Sequence, residues 1–139
     1  MADAAAIHLE MLEAVNRHDV NRFRELLHAD YTYLGTDGVE HQGPEAGVAQ
    51  VEPFVTGFPD LRLDLNHHHS CGDVSIVEFT ARGTHKAELA GIPATGKAIE
   101  VIACDVIEVR DGKVYREREY YDQMTMMQQL GVIPAHKRA

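Results

Sequence analysis

The sequence predicts an α+β protein in which a curved antiparallel sheet wraps around three helices. Three helical segments lie before Phe58, and four long strand-like segments joined by short turns follow them. Strands linked by tight turns pair antiparallel, and helices gathered on one side of such a sheet form a second layer. A bent sheet over helices encloses a blind cavity, which is a common place for a small-molecule site.

The three helices are predicted from apolar residues at helical spacing and from residues that favour helix ends. Segment 4–19 carries an apolar stripe, and segment 20–28 follows Asp19, a good N-cap. The third helix begins at Pro44, which suits a first helical turn, and Pro53 is expected to kink or end it. The first two helices therefore each have one face to bury against the sheet.

Strand-forming residues alternate with turn signals in the rest of the chain. Tyr31, Thr32 and Tyr33 favour the extended state, and a turn at 36–38 leads into a second short strand. The long strands and a closing helix are predicted at 61–70, 74–85, 98–110, 113–122 and 122–131. This order of elements is typical of one α+β layer structure.

The composition excludes several classes of protein. With 139 residues the chain is expected to form a single domain over 1–139, and its net charge of -9 argues against a nucleic-acid partner. No apolar run approaches the roughly 20 residues that span a bilayer, and the start lacks the pattern of a signal peptide. The two cysteines, Cys71 and Cys104, have no metal-like spacing. We therefore expect a protein of the reducing cytoplasm with no membrane association.

Four stretches of the sequence carry a family resemblance: FPDLRLDL, TARGTH, LAGIPATGK and VIEVRDGKVYREREYYDQMTMMQQLG. Together they resemble the SnoaL-like polyketide cyclases of the nuclear transport factor 2-like superfamily, whose members are cone-shaped, cystatin-like α+β domains. The resemblance implies ring closure without a cofactor or a metal, by an acidic general acid/base in an apolar pocket. As we align the pattern, that acid falls on Glu119, and Asp105 occupies the position of a helper histidine.

The turn between the last two strands decides which ionisable side chains share a face, because side chains alternate along a strand. A three-residue loop over 110–112 with a glycine bulge places four side chains on one face: Asp105, Glu117, Glu119 and Tyr121. Close carboxylates in a pocket retain a proton, because burial and like charge disfavour full ionisation. An ionised carboxylate then removes a carbon-bound proton, and a neutral one protonates an enolate. We favour this register.

A two-residue Asp111-Gly112 turn gives the other register. It brings Asp105 opposite Arg118 with Asp122 nearby, a set similar to the acid–arginine–acid cluster of the superfamily's epoxide hydrolases. The alternating charges of segment 114–122 are equally consistent with a solvated ladder of ion pairs. Asp105 is different, because it interrupts the apolar run VIACDVIEV, where a lone acid needs a partner or a function.

Other side chains are candidates for contact with a ligand. Tyr33, His41 and His85 are predicted as hydrogen-bond donors at the cavity rim, with Tyr33 or His85 facing a developing oxyanion. The remaining ligand contacts are predicted at Phe54, Phe79, Arg118, Tyr121 and Asp122.

Three consecutive histidines raise the question of a metal. On a strand His67 and His69 share one face and could supply two ligands, with His41 or His85 as a third. No acidic or cysteine ligand has a matching spacing, so we interpret the triplet as a solvated strand face. Neither a metal nor another cofactor is predicted.

The sequence thus predicts a protein that binds a small, largely apolar carbonyl compound. As an enzyme it would perform aldol-type ring closure or isomerisation, with Glu119 as acid/base and Asp105 as its electrostatic partner. The alternatives are a non-catalytic ligand-binding module with the same cavity, or an epoxide hydrolase that uses Asp105, Arg118 and Asp122. A homodimer formed through the outer face of the sheet is also expected.

Overall fold

A computed structural model describes residues 3–134 of the chain. The helices are α1 (Ala4–Asn16), α2 (Val20–Glu25), α3 (Pro44–Gly57) and α4 (Gln123–Gln129). The strands are β1 (Leu27–Leu34), β2 (Glu40–Gln42), β3 (Arg62–Cys71), β4 (Val74–Thr84), β5 (Ala98–Arg110) and β6 (Lys113–Tyr121). The α+β class predicted from the sequence is confirmed, and α4 is the predicted closing helix.

The six strands form one sheet in the order β2-β1-β6-β5-β4-β3. Neighbouring strands are antiparallel except β1 and β6, which run parallel. Helix α1 packs on β3, β4 and β5, while α3 packs on β1 and α4 on β5. We call the helix-covered face of the sheet the inner face and the opposite one the outer face. Within residues 3–134, no helix combines the length and apolar character needed to span a membrane.

The core lies between the inner face and the helices. Its fully buried side chains include Ile7 of α1, Tyr31 of β1, Ile107 of β5 and Phe58, which follows α3. Helices α1, α2 and α4 each begin at an aspartate whose side chain accepts a hydrogen bond from a backbone amide of the first turn. These caps fix where each helix starts over the sheet.

The predicted end of the second helix was wrong. Helix α2 ends at Glu25 rather than at residue 28. The following residues join the sheet, because the Val114 amide donates to the Leu26 carbonyl at 2.9 Å and Leu27 pairs with Val114. Strand pairing with β6 therefore overrides the helical spacing of this segment.

The prediction that Pro53 ends the third helix was also wrong, because α3 continues through it to Gly57. A proline removes one backbone donor from a helix. The turn that follows still closes, since the Phe58 amide donates to the Phe54 carbonyl at 2.9 Å. Phe54 and Val55 of this last turn pack against the core, which stabilises the helix beyond the proline.

The turn of the β5-β6 hairpin has two residues, Asp111 and Gly112. Both have positive φ, at 54° and 73°, as a type I′ turn requires. The predicted three-residue loop was therefore wrong. With this turn alone, Asp105 would lie opposite Arg118.

A β-bulge restores the other register. One extra residue, Tyr115, lies on β6 between the pairs Glu108–Arg116 and Val109–Val114. The rest of β6 is shifted by one position, and Asp105 lies opposite Glu119. The predicted face was thus right, although it arises from a bulge and not from the loop.

A second bulge reorients the histidine triplet. Asn66 of β3 is the extra residue between the pairs Leu65–Phe79 and His67–Glu78. Beyond it, His68 lies opposite Val77 on the inner face, so His67 and His69 point outward. The bulge therefore turns one histidine of the three toward the core.

Candidate active site

A largely apolar cavity lies between the inner face of the sheet and helices α1 and α3. Its volume is about 100 Å³, and one imidazole and three carboxyl groups face it: those of His8, Asp105, Glu117 and Glu119. The aromatic wall includes Phe54, Phe79 and Tyr121. An apolar pocket with a few convergent polar groups is the usual form of a small-molecule site.

The three carboxylates form a cluster on two neighbouring strands. Asp105, Glu117 and Glu119 each bring an oxygen within 4.8 Å of the other two. Asp105 and Glu117 are both 6% exposed, and Glu119 is half-buried. Alternation along β6 and the register with β5 place all three on the inner face.

Burial and mutual repulsion make these carboxyls weak acids. Burial raises the pKa of Asp105 to about 8, and the charge of Glu119 adds to this effect. Burial, followed by the charge of Glu117, raises the pKa of Glu119 to about 7. The pKa of Glu117 lies well above its ordinary value because of burial and the charge of Asp105. The cluster therefore retains protons at neutral pH, and Glu119 is the group poised to exchange one.

Two tyrosines of β1 position the glutamates. The Tyr31 hydroxyl donates to Glu117 Oε1 at 2.5 Å, and the Tyr33 hydroxyl donates to Glu119 Oε1 at 2.9 Å. Burial raises the pKa of both phenols, so they remain hydrogen-bond donors. The parallel pairing of β1 with β6 places these side chains beside each other.

His8 of α1 supplies an imidazole to Asp105. Its Nε2 lies 2.9 Å from Asp105 Oδ2, and its Nδ1 lies 2.7 Å from the Ser75 hydroxyl. The same hydroxyl lies 2.9 Å from Nε2 of His68. Burial lowers the pKa of His8 to about 4, so its imidazole is neutral at physiological pH. Asp105 of β5 occupies the position that we aligned with a helper histidine. In this structure the imidazole comes from His8 of α1, which contacts Asp105.

Several predicted site residues face the cavity or its acids. Asp105, Glu119, Phe54, Phe79 and Tyr121 line the cavity. Tyr33 is 4% exposed and reaches the site through Glu119. Its hydroxyl is directed at that carboxylate, so its prediction as a donor to a substrate oxyanion was wrong.

The two predicted rim histidines lie elsewhere. His41 pairs with Asp37 at 2.8 Å on the exposed strand β2. His85 is fully buried, with Nδ1 3.0 Å from the Thr95 hydroxyl and its ring against Phe58. Neither lines the cavity, so their predicted role as rim donors was wrong. Sequence position relative to a strand end did not indicate the direction of either side chain.

The predicted cavity positions of Arg118 and Asp122 were wrong too. Arg118 points to the outer face, where it donates to Glu108 at 2.8 Å. Asp122 is the N-cap of α4, and its carboxylate accepts hydrogen bonds from Thr125. Arg118 therefore lies on the opposite face of the sheet from Asp105, and Asp122 caps a helix beyond the end of β6. These residues do not form the acid–arginine–acid arrangement of an epoxide hydrolase.

The sequence interpretation missed His8, Ser75 and the inward orientation of His68. A signal for His8 existed, because it follows Ala4 by four residues and precedes Met11 by three, which places it within the apolar stripe of α1. A buried histidine on such a face needs a polar partner, and Asp105 was the unpaired acid of β5. Nothing in the sequence indicated the bulge that directs His68 inward.

The acid cluster is also the place where a cation would be sought. Two of its three carboxylates already accept a hydrogen bond from a tyrosine, and all three have pKa values raised toward the protonated form. This environment suits shared protons, and we assign no metal ligands.

The curved sheet, the apolar cavity and the buried acids together form a candidate site for a small molecule. The chain belongs to the SnoaL-like polyketide cyclase family, which matches residues 6–130. The resemblance seen in the sequence is thereby confirmed.

Three of the similar proteins come from streptomycetes. Aklanonic acid methyl ester cyclase DnrD of Streptomyces peucetius is 29% identical over 126 residues, which cover 87% of this chain and 86% of the cyclase. The structure of IdmH from Streptomyces antibioticus, a proposed polyketide cyclase, has a TM-score of 0.80 and 26% identity, over 94% of this chain and 99% of IdmH. AclR from Streptomyces galilaeus, a proposed hydroxylase, has a TM-score of 0.85 and 24% identity, over 96% of this chain and 83% of AclR. The AclR likeness concerns the fold.

Proposed function

We propose that the protein catalyses cofactor-independent proton transfer on a small, largely apolar carbonyl compound, as in aldol-type ring closure or isomerisation. The observation that carries the proposal is the cluster of Asp105, Glu117 and Glu119 in an apolar cavity, with oxygens within 4.8 Å and raised pKa values. Membership of a family of cyclases supports the same chemistry.

Glu119 is the proposed acid/base. Its pKa of about 7 leaves a substantial carboxylate fraction at neutral pH, and such a pKa suits both removal and return of a proton. Glu119 takes a proton from the carbon beside a carbonyl, the enolate carbon attacks a second carbonyl, and Glu119 returns the proton to the new alkoxide. Asp105 and Glu117 in their acid forms keep the charge beside Glu119 low, which allows Glu119 to ionise.

The cavity restricts the substrate. Its volume of about 100 Å³ is below the roughly 300–1,000 Å³ of sites for drug-sized ligands. We therefore propose a compact diketone or keto ester as the substrate. Aklanonic acid methyl ester, on which the related cyclase acts, is the larger probe to test beside a short-chain diketone that can close a six-membered ring.

The test compares Glu119→Gln with the wild-type protein on both probes, with ring closure followed by mass spectrometry. Loss of the ionisable group at nearly constant size should lower turnover by about 10²–10⁴-fold, while ligand affinity is retained. Glu108→Gln, which changes a carboxylate of the outer face, is the matched control. Equal turnover in all three proteins would show that Glu119 is not the acid/base, and no turnover by any of them would favour the non-catalytic binding module. A chelator should leave turnover unchanged.

The outer face of the sheet is the proposed homodimer surface. Ile102 is 68% exposed and Tyr120 is 53% exposed, and both lie beside the half-buried Cys104. Exposed apolar side chains on neighbouring strands suit a self-complementary contact with a second copy. Ile102→Glu should convert a dimer into a monomer in native mass spectrometry.

The unpaired thiols of Cys71 and Cys104 suit the cytoplasm, which we propose as the location.

A further inference from the structure

A chain of hydrogen bonds leaves the acid cluster along the inner face of the sheet. It runs from Asp105 Oδ2 to His8 Nε2 over 2.9 Å, and from His8 Nδ1 to Ser75 Oγ over 2.7 Å. The final contact joins Ser75 Oγ to His68 Nε2 over 2.9 Å. His8 and Ser75 are almost completely buried, whereas His68 is half-buried and forms the solvent end.

Each member of this chain comes from a different element, so its alignment is a property of the tertiary structure. Asp105 lies on β5, Ser75 on β4, His68 on β3 and His8 on α1. The bulge at Asn66 directs His68 inward, as the pair His68–Val77 shows. Each member also has both a donor and an acceptor in at least one of its states, which a proton path requires.

We propose that His68, Ser75 and His8 form a proton relay that loads and unloads Asp105 from solvent when a ligand fills the cavity. The purpose of the relay rests on the proposed function, because the charge of Asp105 acts on the basicity of Glu119. The relay itself can be tested without any substrate. Its three members are positioning residues, since they act through Asp105.

The transfer balances without a change in any bond between heavy atoms. A hydronium ion of the solvent protonates Nδ1 of His68, the nitrogen that is not bonded to Ser75, and leaves as water, so that His68 becomes an imidazolium. His68 Nε2 passes its proton to Ser75 Oγ, Ser75 passes its own proton to His8 Nδ1, and His8 Nε2 passes its proton to the Asp105 carboxylate. His68 ends neutral, Asp105 ends as the acid, and His8 has only changed tautomer. The reverse sequence unloads Asp105.

The charged groups around the relay allow this sequence. His8 faces Asp105 and Glu117. The centre of its ring lies 6.2 Å from the centre of the His68 ring. The titratable neighbours of His68 are His8, His69 and Asp3. Burial, with the nearby imidazoles, lowers the pKa of His68, so its imidazolium readily gives up a proton. His8 stays neutral throughout, so no buried cation is formed.

The first experiment follows the imidazole tautomers of the full chain by ¹⁵N NMR between about pH 5 and pH 10. In the relay, His8 carries its proton on Nδ1 when Asp105 is an acid and on Nε2 when Asp105 is a carboxylate. We expect the His8 signals to change from one tautomer to the other with the carboxyl signal of Asp105, near pH 8. A His8 tautomer that stays the same through that titration overturns the relay.

The second experiment breaks the relay at two links. Ser75→Ala removes the central hydroxyl and should hold His8 on the Nε2 tautomer. His68→Gln retains a side chain capable of hydrogen bonding but cannot pass a proton. Ser70→Ala and His67→Gln, two exposed positions of the same hairpin, are the matched controls.

With the carbonyl probes, kcat should fall about tenfold in both relay variants at unchanged KM, since general acid–base chemistry contributes more than that in total. Turnover equal to that of the controls overturns the relay. If Ser75→Ala fails to fold, His68→Gln alone still decides between the two outcomes. A tautomer change without turnover by any protein supports the relay and contradicts the proposed function.

Discussion

The pH dependence of stability provides a sharp test of the buried acid cluster. Burial raises the pKa of Glu119 from an ordinary 4.5 to about 7. The folded state therefore binds more protons than the unfolded state between these values, so stability falls as pH rises through about 4.5 to 7 and then levels off. Glu119→Gln removes this contribution, and the amide oxygen still accepts from Tyr33.

The magnitude follows from the size of the pKa change. A difference from 4.5 to about 7, at about 1.4 kcal/mol per pKa unit, gives at most about 3.5 kcal/mol. Because Glu119 is half-buried, solvent screening reduces this value to roughly 1–3 kcal/mol. Glu119→Gln should thus have a free energy of unfolding close to wild type at pH 4.5 and higher by that amount at pH 8.

Urea denaturation followed by circular dichroism at both pH values measures the effect. Glu108→Gln serves as the control, because Glu108 lies on the outer face and pairs with Arg118. The control should retain the wild-type difference between the two pH values. If the unfolding free energy of Glu119→Gln changes between the two pH values as much as that of the wild type, a carboxyl with a raised pKa at position 119 is refuted.

Three further predictions follow from individual contacts. Tyr33→Phe removes the hydroxyl that favours the Glu119 anion, so the acid limb of the pH–rate profile should move up by roughly 0.5–1 pH unit; an unmoved limb would show that the contact is unimportant. Gly47→Ala would place a Cβ 2.8 Å from the Tyr31 ring and hydroxyl, so urea denaturation should show a loss of about 1–3 kcal/mol. Wild-type stability would contradict the close approach of α3 to β1. Arg118→Met should leave turnover within about twofold and cost under about 1 kcal/mol, because its ion pair is on the outer face. A large loss of turnover would return Arg118 to the site.

The fold could be predicted because it depends on signals repeated along many residues. Apolar spacing predicted α1, and alternation predicted the long strands, since each pattern has a single periodicity over many positions. Asp105 was identified for a related reason, as the single acid in the apolar run VIACDVIEV. Errors occurred at ends, such as Glu25 of α2, where strand pairing competes with local propensity.

The arrangement of the site was less predictable, because it depends on single residues that change the register. The bulge at Tyr115 decides whether Glu119 or Arg118 lies opposite Asp105, and the bulge at Asn66 decides which histidine points inward. Both bulged residues make contacts outside their own strand: the Tyr115 ring packs against His28 of β1, and the Asn66 side chain donates to the Thr80 hydroxyl at 2.9 Å. Alternation along a strand contains no information about such contacts.

The extra residue at Tyr115 gives this hairpin a second potential lining. Deletion of one residue there would slide the remainder of β6 by one position and present Arg116, Arg118 and Tyr120 to the interior. The strand thus encodes an acidic cavity lining and, with one codon deleted, a more cationic lining that would suit carboxylate or phosphate ligands. A change of strand length at this bulge offers evolution a shorter route to a new class of ligand than successive substitutions within the cavity.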